Sequence, residues 1–187
     1  TAVLINGRGH QYHDGREGTN PSKASARITA FRTGPGWMTV TSDATDAYRL
    51  VDANVKRVER TLVFLKPDVL IFFDRVELVA VPASVQVRFQ VFNEDERGSC
   101  AVAGATFRIE RPFATLQASV AAAGKFEVTS SRLAIAEVEG VFPFVEVASA
   151  PALRHSVLTV CTAAPVAGAH GTITLSHHEG VWQVQES

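Results

Sequence analysis

Two short, almost entirely apolar runs dominate the hydrophobic pattern of this chain. They occupy residues 61–65 and 69–73, and Lys66, Pro67 and Asp68 separate them. Proline presets φ at the first corner of a turn, and aspartate can bond to its own backbone there. The pattern predicts a β-hairpin whose strands are buried on both faces. A sheet covered on both faces needs a layer of structure on each side.

A different pattern, regular alternation of apolar and polar residues, extends from Val85 to Val91. Gln86, Arg88 and Gln90 alternate with valine and phenylalanine, which indicates a strand with one buried and one polar face. The alanine-rich residues 114–124 are the one segment that could be helical. Further short strands are predicted at residues 1–5, 26–32, 37–41, 101–109, 126–129, 133–138, 145–148, 156–161, 172–175 and 181–184.

Many short strands at regular spacing predict an all-β protein, a large antiparallel β-sandwich with a third layer at the hairpin. The 187 residues show no break in composition, which favours a single domain spanning residues 1–187. Residues 10–23 are polar without an apolar period and predict an exposed loop. The chain opens directly on a strand without an initiating Met, so we expect a piece of a longer protein or a mature form.

Charge and motif content exclude several functional classes. A formal net charge of −1 gives no electrostatic footprint for nucleic acid or an anionic membrane. No apolar run approaches the ~20 residues that span a bilayer. Cys100 and Cys161 leave both a disulfide and two free thiols open, so the compartment is undecided. The sequence contains no nucleophile elbow, phosphate-binding loop, dinucleotide fingerprint, HExxH or CxxC pair.

The polar segment before the hairpin, from residue 43 to residue 60, is the first place to look for chemistry. Tyr48 either helps to shape a substrate groove or is half-buried with its hydroxyl bonded. Arg57 and Arg60 suit an anionic polysaccharide because guanidinium pairs with carboxylate bidentately. Ordinary ion pairs with Glu59 or Asp52 are the alternative, and such pairs contribute little.

Outside this segment, His10 and the polar stripe of the alternating strand are candidates for binding. His10 and His13 lie in a polar loop, where they either face a sugar or metal or are simply solvated. Arg88 and Gln90 either line a concave face that binds a sugar chain or face water.

Three segments, in this order, resemble heparinase II/III-like polysaccharide lyases. TAVLINGRGH is similar to the family's first strand, of the type H-N-T-V-L-V-D-G-x-G-Q, and SDATDAY is similar to its G-D-x-[ST]-x-A-Y segment. VERTLVFLKPDVLIFFDRVE is similar to R-x-[VL]-x-F-x-[KR]-P-x-x-[LV]-[VIF]-x-D. The resemblance covers residues 1–92, half of the chain.

The resemblance implies a supersandwich-like β-sandwich that normally follows an (α/α) toroid, which this chain lacks. It implies β-elimination across the 4-O-glycosidic bond of a uronic acid, in which a donor neutralises the carboxylate, a base removes the C5 proton and an acid protonates the leaving oxygen. In the family most of these groups come from the toroid. One histidine precedes the first strand, and that position is absent here. We therefore assign no catalytic residue to this chain and expect no turnover from it alone.

The family also implies a zinc site in some members. Its ligands are a histidine near the first strand, the aspartate of the G-D-x-[ST]-x-A-Y segment and a histidine on a later strand. Only the aspartate is matched, by Asp43. Gln90 stands where the later histidine is often seen, and glutamine is a poor zinc ligand. We assign no cofactor to the chain, and zinc in the full-length protein stays open.

The leading hypothesis is the C-terminal domain of such a lyase, supplying one wall of the cleft and the interface to the toroid. Its partner would be an acidic polysaccharide such as a glycosaminoglycan or alginate, in the periplasm or outside the cell. The sequence leaves the formation of a homodimer undecided. The alternative is a non-catalytic carbohydrate-binding or structural β-sandwich module. The expected metal ligand is Asp43, and the expected substrate-binding residues are His10, Tyr48, Arg57, Arg88 and Gln90.

Overall fold

The computed structural model describes residues 2–10, 25–134, 141–178 and 181–186. These residues form fourteen strands and one short helix. In chain order they are Ala2–Ile5 (β1), Arg27–Gly34 (β2), Trp37–Asp43 (β3), Thr45–Arg49 (α1), Val55–Leu65 (β4), Val69–Leu78 (β5), Ala83–Gln90 (β6), Ser99–Ala103 (β7), Thr106–Glu110 (β8), Ala114–Ala122 (β9), Phe126–Ala134 (β10), Val141–Ala152 (β11), Arg154–Pro165 (β12), Ile173–His178 (β13) and Val181–Glu186 (β14).

The strands form two large antiparallel sheets and a separate hairpin. The eight-stranded sheet has the order β2-β3-β4-β5-β12-β9-β8-β7, and the four-stranded sheet has the order β1-β6-β11-β10. The third unit is the β13–β14 hairpin. The predicted all-β antiparallel sandwich is confirmed.

The main core lies between the two large sheets. Val85, Val87 and Phe89 of β6 are buried there, as their alternation with polar residues predicts. They pack with residues of the eight-stranded sheet such as Val76 and Val157. The polar positions of β6 consequently lie on the outer face of the four-stranded sheet.

Of the hairpin predicted at residues 61–73, the second strand, β5, packs on both of its faces as predicted, whereas residues 61–65 of β4 belong to neither apolar cluster and are half-buried or exposed. Leu70 and Phe72 pack against the main core. Val69, Ile71 and Phe73 belong to a second apolar cluster on the opposite face. That cluster is completed by Leu158 and Val160 of β12 and by Ile173, Leu175 and Trp182 of the β13–β14 hairpin. The sandwich therefore has a third layer at this position.

Three local predictions were wrong. Within residues 114–124, Ala114–Ala122 form strand β9, because ladders with β8 and β12 on its two sides and alternate burial of Ala118 and Val120 override the helix propensity of alanine. The single strand predicted at 101–109 is two strands, which turn at Gly104 with φ of 60°. The two strands predicted at 126–129 and 133–138 begin as one strand, β10, and residues 135–140 lie outside the described part of the chain.

The polar segment before the hairpin also differs from the prediction. It contains helix α1, which the sequence pattern did not predict, and β4 already begins at Val55. The predicted loop at residues 10–23 lies, apart from His10, outside the described residues.

One end of the eight-stranded sheet extends beyond the four-stranded sheet. Phe31 of β2 lies in register with Val40, Leu62 and Phe72, so all four point to the side of the main core. Phe72 reaches the core, but Phe31 is 61% exposed and Ile28 is 68% exposed. Here we call this apolar surface the overhanging face, and its residues are Ile28, Phe31, Met38, Val40, Leu62 and Phe64.

Candidate functional site

Helix α1 carries Tyr48 to the edge of the main core, next to strand β1. The backbone N–H of Thr45 donates to Asp43 Oδ1 at 2.9 Å, an aspartate turn that starts the helix. The backbone N–H of Val58 donates to Thr45 Oγ1 at 3.0 Å and ties the helix to β4. These two contacts fix the side of the helix from which Tyr48 projects.

The Tyr48 hydroxyl is engaged with the backbone of β1. It donates to the carbonyl oxygen of Val3 at 2.6 Å, and the His10 ring lies against the Tyr48 ring with 5.6 Å between centroids. Burial raises the pKa of Tyr48 to about 12. The hydroxyl therefore keeps its proton at neutral pH and holds β1 against α1, while His10 lies on the outer side.

A buried ion pair lies beside Tyr48. The Nε and Nη2 atoms of Arg60 donate to the two carboxylate oxygens of Asp74 at 2.6 and 3.0 Å. Asp74 is 2% exposed, and burial raises the pKa of its carboxyl group while the Arg60 guanidinium opposes the rise. The guanidinium also lies over the Phe72 ring, 5.7 Å from its centroid.

The two arginines pair with residues other than those expected from the sequence. Arg60 pairs with Asp74, and Arg57 pairs with Glu77 at 3.3 Å, instead of with Glu59 or Asp52. Extending the hairpin register from its turn would have found both pairs, because antiparallel partners keep a constant sum of residue numbers. A bulge interrupts that register only between Val55 and Arg57.

Asp43 is used in local structure. Its Oδ1 atom accepts the backbone N–H of Thr45 in the turn before α1, and its Oδ2 atom pairs with Arg27 at 3.3 Å. The hydrogen bonds from Thr45, and then the Arg27 guanidinium, hold the pKa of Asp43 below its usual value, so the carboxylate is ionised.

The predicted zinc ligands do not converge. Asp43 lies in register with Glu59 on the outer face of the eight-stranded sheet, whereas Gln90 alternates with the buried residues of β6 on the outer face of the four-stranded sheet. Among the residues that the structure describes, no group of three or more His, Cys, Asp or Glu side chains is arranged to hold a metal ion. These residues do not fit a zinc site around Asp43.

The expected substrate-binding residues fall in three places. His10 and Tyr48 lie together. Arg57 is on the outer face of the eight-stranded sheet, with Glu77. Arg88 pairs with Glu146 at 2.5 Å on the outer face of the four-stranded sheet and lies over the Phe144 ring, and Gln90 is exposed on the same face. A binding role for each remains a prediction, and one substrate contact cannot involve all five.

The surface around Tyr48 is open toward the overhanging face. Ile28 lies in register with Ser42, Arg60 and Asp74, so the ion pair belongs to the same face of the sheet. A small cavity of about 70 Å³ borders Tyr48 on its other side and is too small for a sugar ring. Apolar side chains and a buried ion pair thus adjoin at one end of the sandwich.

The structure has the fold of part of solved heparinase III and heparan sulfate lyase structures. The heparan sulfate lyase HepC from Pedobacter heparinus matches 100% of this chain and 30% of its own, with a TM-score of 0.68 and 12% identity. A heparinase III gene product matches 100% of this chain and 29% of its own, with a TM-score of 0.70 and 11% identity. A further heparinase III structure covers 99% and 29%, with a TM-score of 0.68 and 10% identity.

Comparison by sequence gives a different result. No protein-family model matches the chain, and no curated protein matches it. Among the described residues, no helix is long and apolar enough to cross a membrane. The chain spans about 30% of the length of the lyases with which it shares its fold.

Proposed function

We propose that this chain is the C-terminal β-sandwich domain of a heparinase II/III-like polysaccharide lyase. The observation that carries the proposal is the overhanging face. This apolar surface lies at the same end of the sandwich as Tyr48 and the Arg60–Asp74 pair. The shared fold with heparan sulfate lyases supports it, and so do the three ordered segments at residues 1–92.

The partner we propose for the overhanging face is the (α/α) toroid of the same lyase. Contiguous exposed apolar patches on a soluble domain mark interaction sites. Ile28 and Phe31 are more than half exposed. Leu62 and Phe64, on the same face, are half-buried, so the exposed patch is continuous with the core. In the structural neighbours the matched region is only about 30% of the chain. The proposed partner domain would lie in the remaining 70% or so.

In this arrangement the chain supplies one wall of the cleft, and the toroid supplies the groups that transfer protons. Tyr48 is a poor base here, since its pKa of about 12 and its bond to Val3 keep it protonated. We assign it to positioning of β1, with His10 at the rim of the cleft. The substrate would be a uronic-acid polysaccharide cleaved by β-elimination, in the periplasm or outside the cell, where such polymers are met.

A lyase assay tests the proposal. The chain, extended by the sequence that precedes it in the proposed full-length lyase, is incubated with heparan sulfate, chondroitin sulfate and alginate, and the unsaturated uronate product is followed by its ultraviolet absorbance. We expect product from at least one polymer with the extended protein and none with the 187-residue chain. Absence of product from all three polymers with a folded extended protein would refute the lyase assignment.

A further inference from the structure

A groove of about 300 Å³ lies on the outer face of the eight-stranded sheet, at the opposite end from β2 and the overhanging face. Its floor is formed by Ser99 of β7 and by Arg108 and Glu110 of β8. Ser99 and Glu110 are in register, whereas Phe107 and Ile109, which flank Arg108 in β8, face the main core. The floor is therefore on the side of the sheet away from the core.

One wall of the groove is the loop between β6 and β7, which buried contacts hold in place. Asn93 is 5% exposed, donates from Nδ2 to the carbonyl of Val141 at 2.7 Å and accepts the backbone N–H of Gly98. Arg111 donates to both carboxylate oxygens of Asp95 at 2.6 and 2.8 Å. These hydrogen bonds hold the loop in a defined position as one wall of the groove.

The facing wall is the segment after β12. His170 bonds through one ring nitrogen to Thr115 Oγ1 at 2.6 Å and through the other to Thr162 Oγ1 at 2.9 Å. Both threonine side chains are buried in the outer face of the sheet. Val166 borders the groove and is 52% exposed.

Unused hydrogen-bond donors line the groove, and an exposed aromatic residue directly follows Pro112, which is one of the lining residues. Within the described residues, the Arg97 guanidinium has no ion pair, and Arg108 uses only Nε, toward Glu110. Phe113, at the turn between β8 and β9, is 87% exposed. Guanidinium groups bind carboxylate and sulfate with charge-assisted hydrogen bonds.

We propose that this groove binds an acidic saccharide, with Arg97 and Arg108 on a carboxylate or sulfate group and Phe113 against the C–H face of the sugar ring. A saccharide fits better than an acidic peptide, because Glu110 and Asp95 repel closely spaced carboxylates, while a sugar ring separates its charges. The choice of a saccharide rests on the proposed function, but the groove is remote from Tyr48 and needs no catalytic partner.

Isothermal titration of the 187-residue chain with a heparin-derived hexasaccharide tests this inference. Arg97→Ala/Arg108→Ala should weaken binding about tenfold or more, because two charge-assisted contacts are lost. The matched control, Arg32→Ala/Lys125→Ala, removes the same charge at exposed positions outside the groove and should leave the dissociation constant within about twofold. Equal weakening in both pairs, or no binding by the parent chain, would overturn the proposal.

Phe113→Ala provides the second readout. It should weaken hexasaccharide binding and leave binding of poly-glutamate unchanged, whereas Phe92→Ala, at another exposed phenylalanine, should affect neither. Poly-glutamate binding as tight as hexasaccharide binding, without an effect of Phe113→Ala, would identify a peptide site and refute the saccharide. Hexasaccharide binding together with an inactive extended protein would refute the proposed lyase function and leave the groove standing.

Discussion

The Arg60–Asp74 pair shows how a neighbouring charge decides the free-energy cost of burying an ionised side chain. A carboxylate this deeply buried is tolerated because two charge-assisted bonds from Arg60 compensate the lost hydration. Removing one partner leaves the other buried and unpaired, which is far more costly than replacing both by apolar groups.

We therefore expect Arg60→Met to lower the free energy of unfolding by about 3–5 kcal/mol, and Arg60→Met/Asp74→Leu to recover much of that loss. Arg57→Met is the matched control, since its pair with Glu77 is exposed and contributes about 0–1 kcal/mol. Urea unfolding of the three variants measures these differences. Equal losses at Arg60 and Arg57 would contradict the assignment of a buried pair.

His155 gives a pH dependence with a definite sign. Its Nε2 contacts the carbonyl oxygens of Ala83 at 3.0 Å and Ala152 at 3.1 Å, and burial lowers its pKa below 6.5. As the pH falls, the unfolded chain takes up the proton first, so the stability that the neutral ring contributes is full above about pH 7 and declines from about pH 6.5 toward the folded-state pKa.

His155→Gln, which keeps a donor for the carbonyls, should flatten this part of the stability profile. Urea unfolding at a series of pH values between about 8 and 5 measures the slope in parent and variant. Identical slopes in the two proteins would show that another group is responsible.

At the scale of elements, the strands that were predicted correctly are those whose burial follows their own sequence. The alternation in β6 and the apolar run of β5 record which faces are covered. Strand β9 was missed because its small alanines satisfy either pattern, and its ladders with β8 and β12 decide the outcome. Helix α1 was missed because its five residues are too few for a helical period.

The third layer should depend on the second apolar cluster. Leu158→Ala removes a side chain that is 4% exposed from beneath the β13–β14 hairpin and should cost about 2–5 kcal/mol. Hydrogen exchange should accelerate first in β13 and β14. Leu153→Ala, at a position 41% exposed, is the control and should cost well under half as much. Unchanged exchange in β13 and β14 would contradict this packing.

At the scale of the whole molecule, the sequence predicted the sandwich and its third layer but not the overhanging face. The order of the strands decides which apolar residues the second sheet covers. The sequence around Ile28 and Phe31 has the same apolar pattern as a strand of the core, so their exposure could not be predicted from it. The candidate site was found only in part for the same reason. His10 and Tyr48 meet, whereas Arg57 and Gln90 lie on opposite outer faces of the sandwich.

The overhanging face has a direct consequence for stability in the isolated chain. Substituting its exposed members by serine removes little buried apolar area, so Ile28→Ser/Phe31→Ser should leave the unfolding of the 187-residue chain nearly unchanged. The same double variant should matter only where the face is covered by a partner.

Lyase activity of the extended protein carrying Ile28→Ser/Phe31→Ser tests most directly whether the overhanging face docks on the toroid. The control, Val79→Ser/Val81→Ser, changes two valines that are 62% and 63% exposed elsewhere on the sandwich. If the overhanging face docks on the toroid and completes the cleft, product formation falls steeply in the first variant and persists in the second. Equal activity in both would contradict the claim that this face docks on the toroid and so completes the cleft.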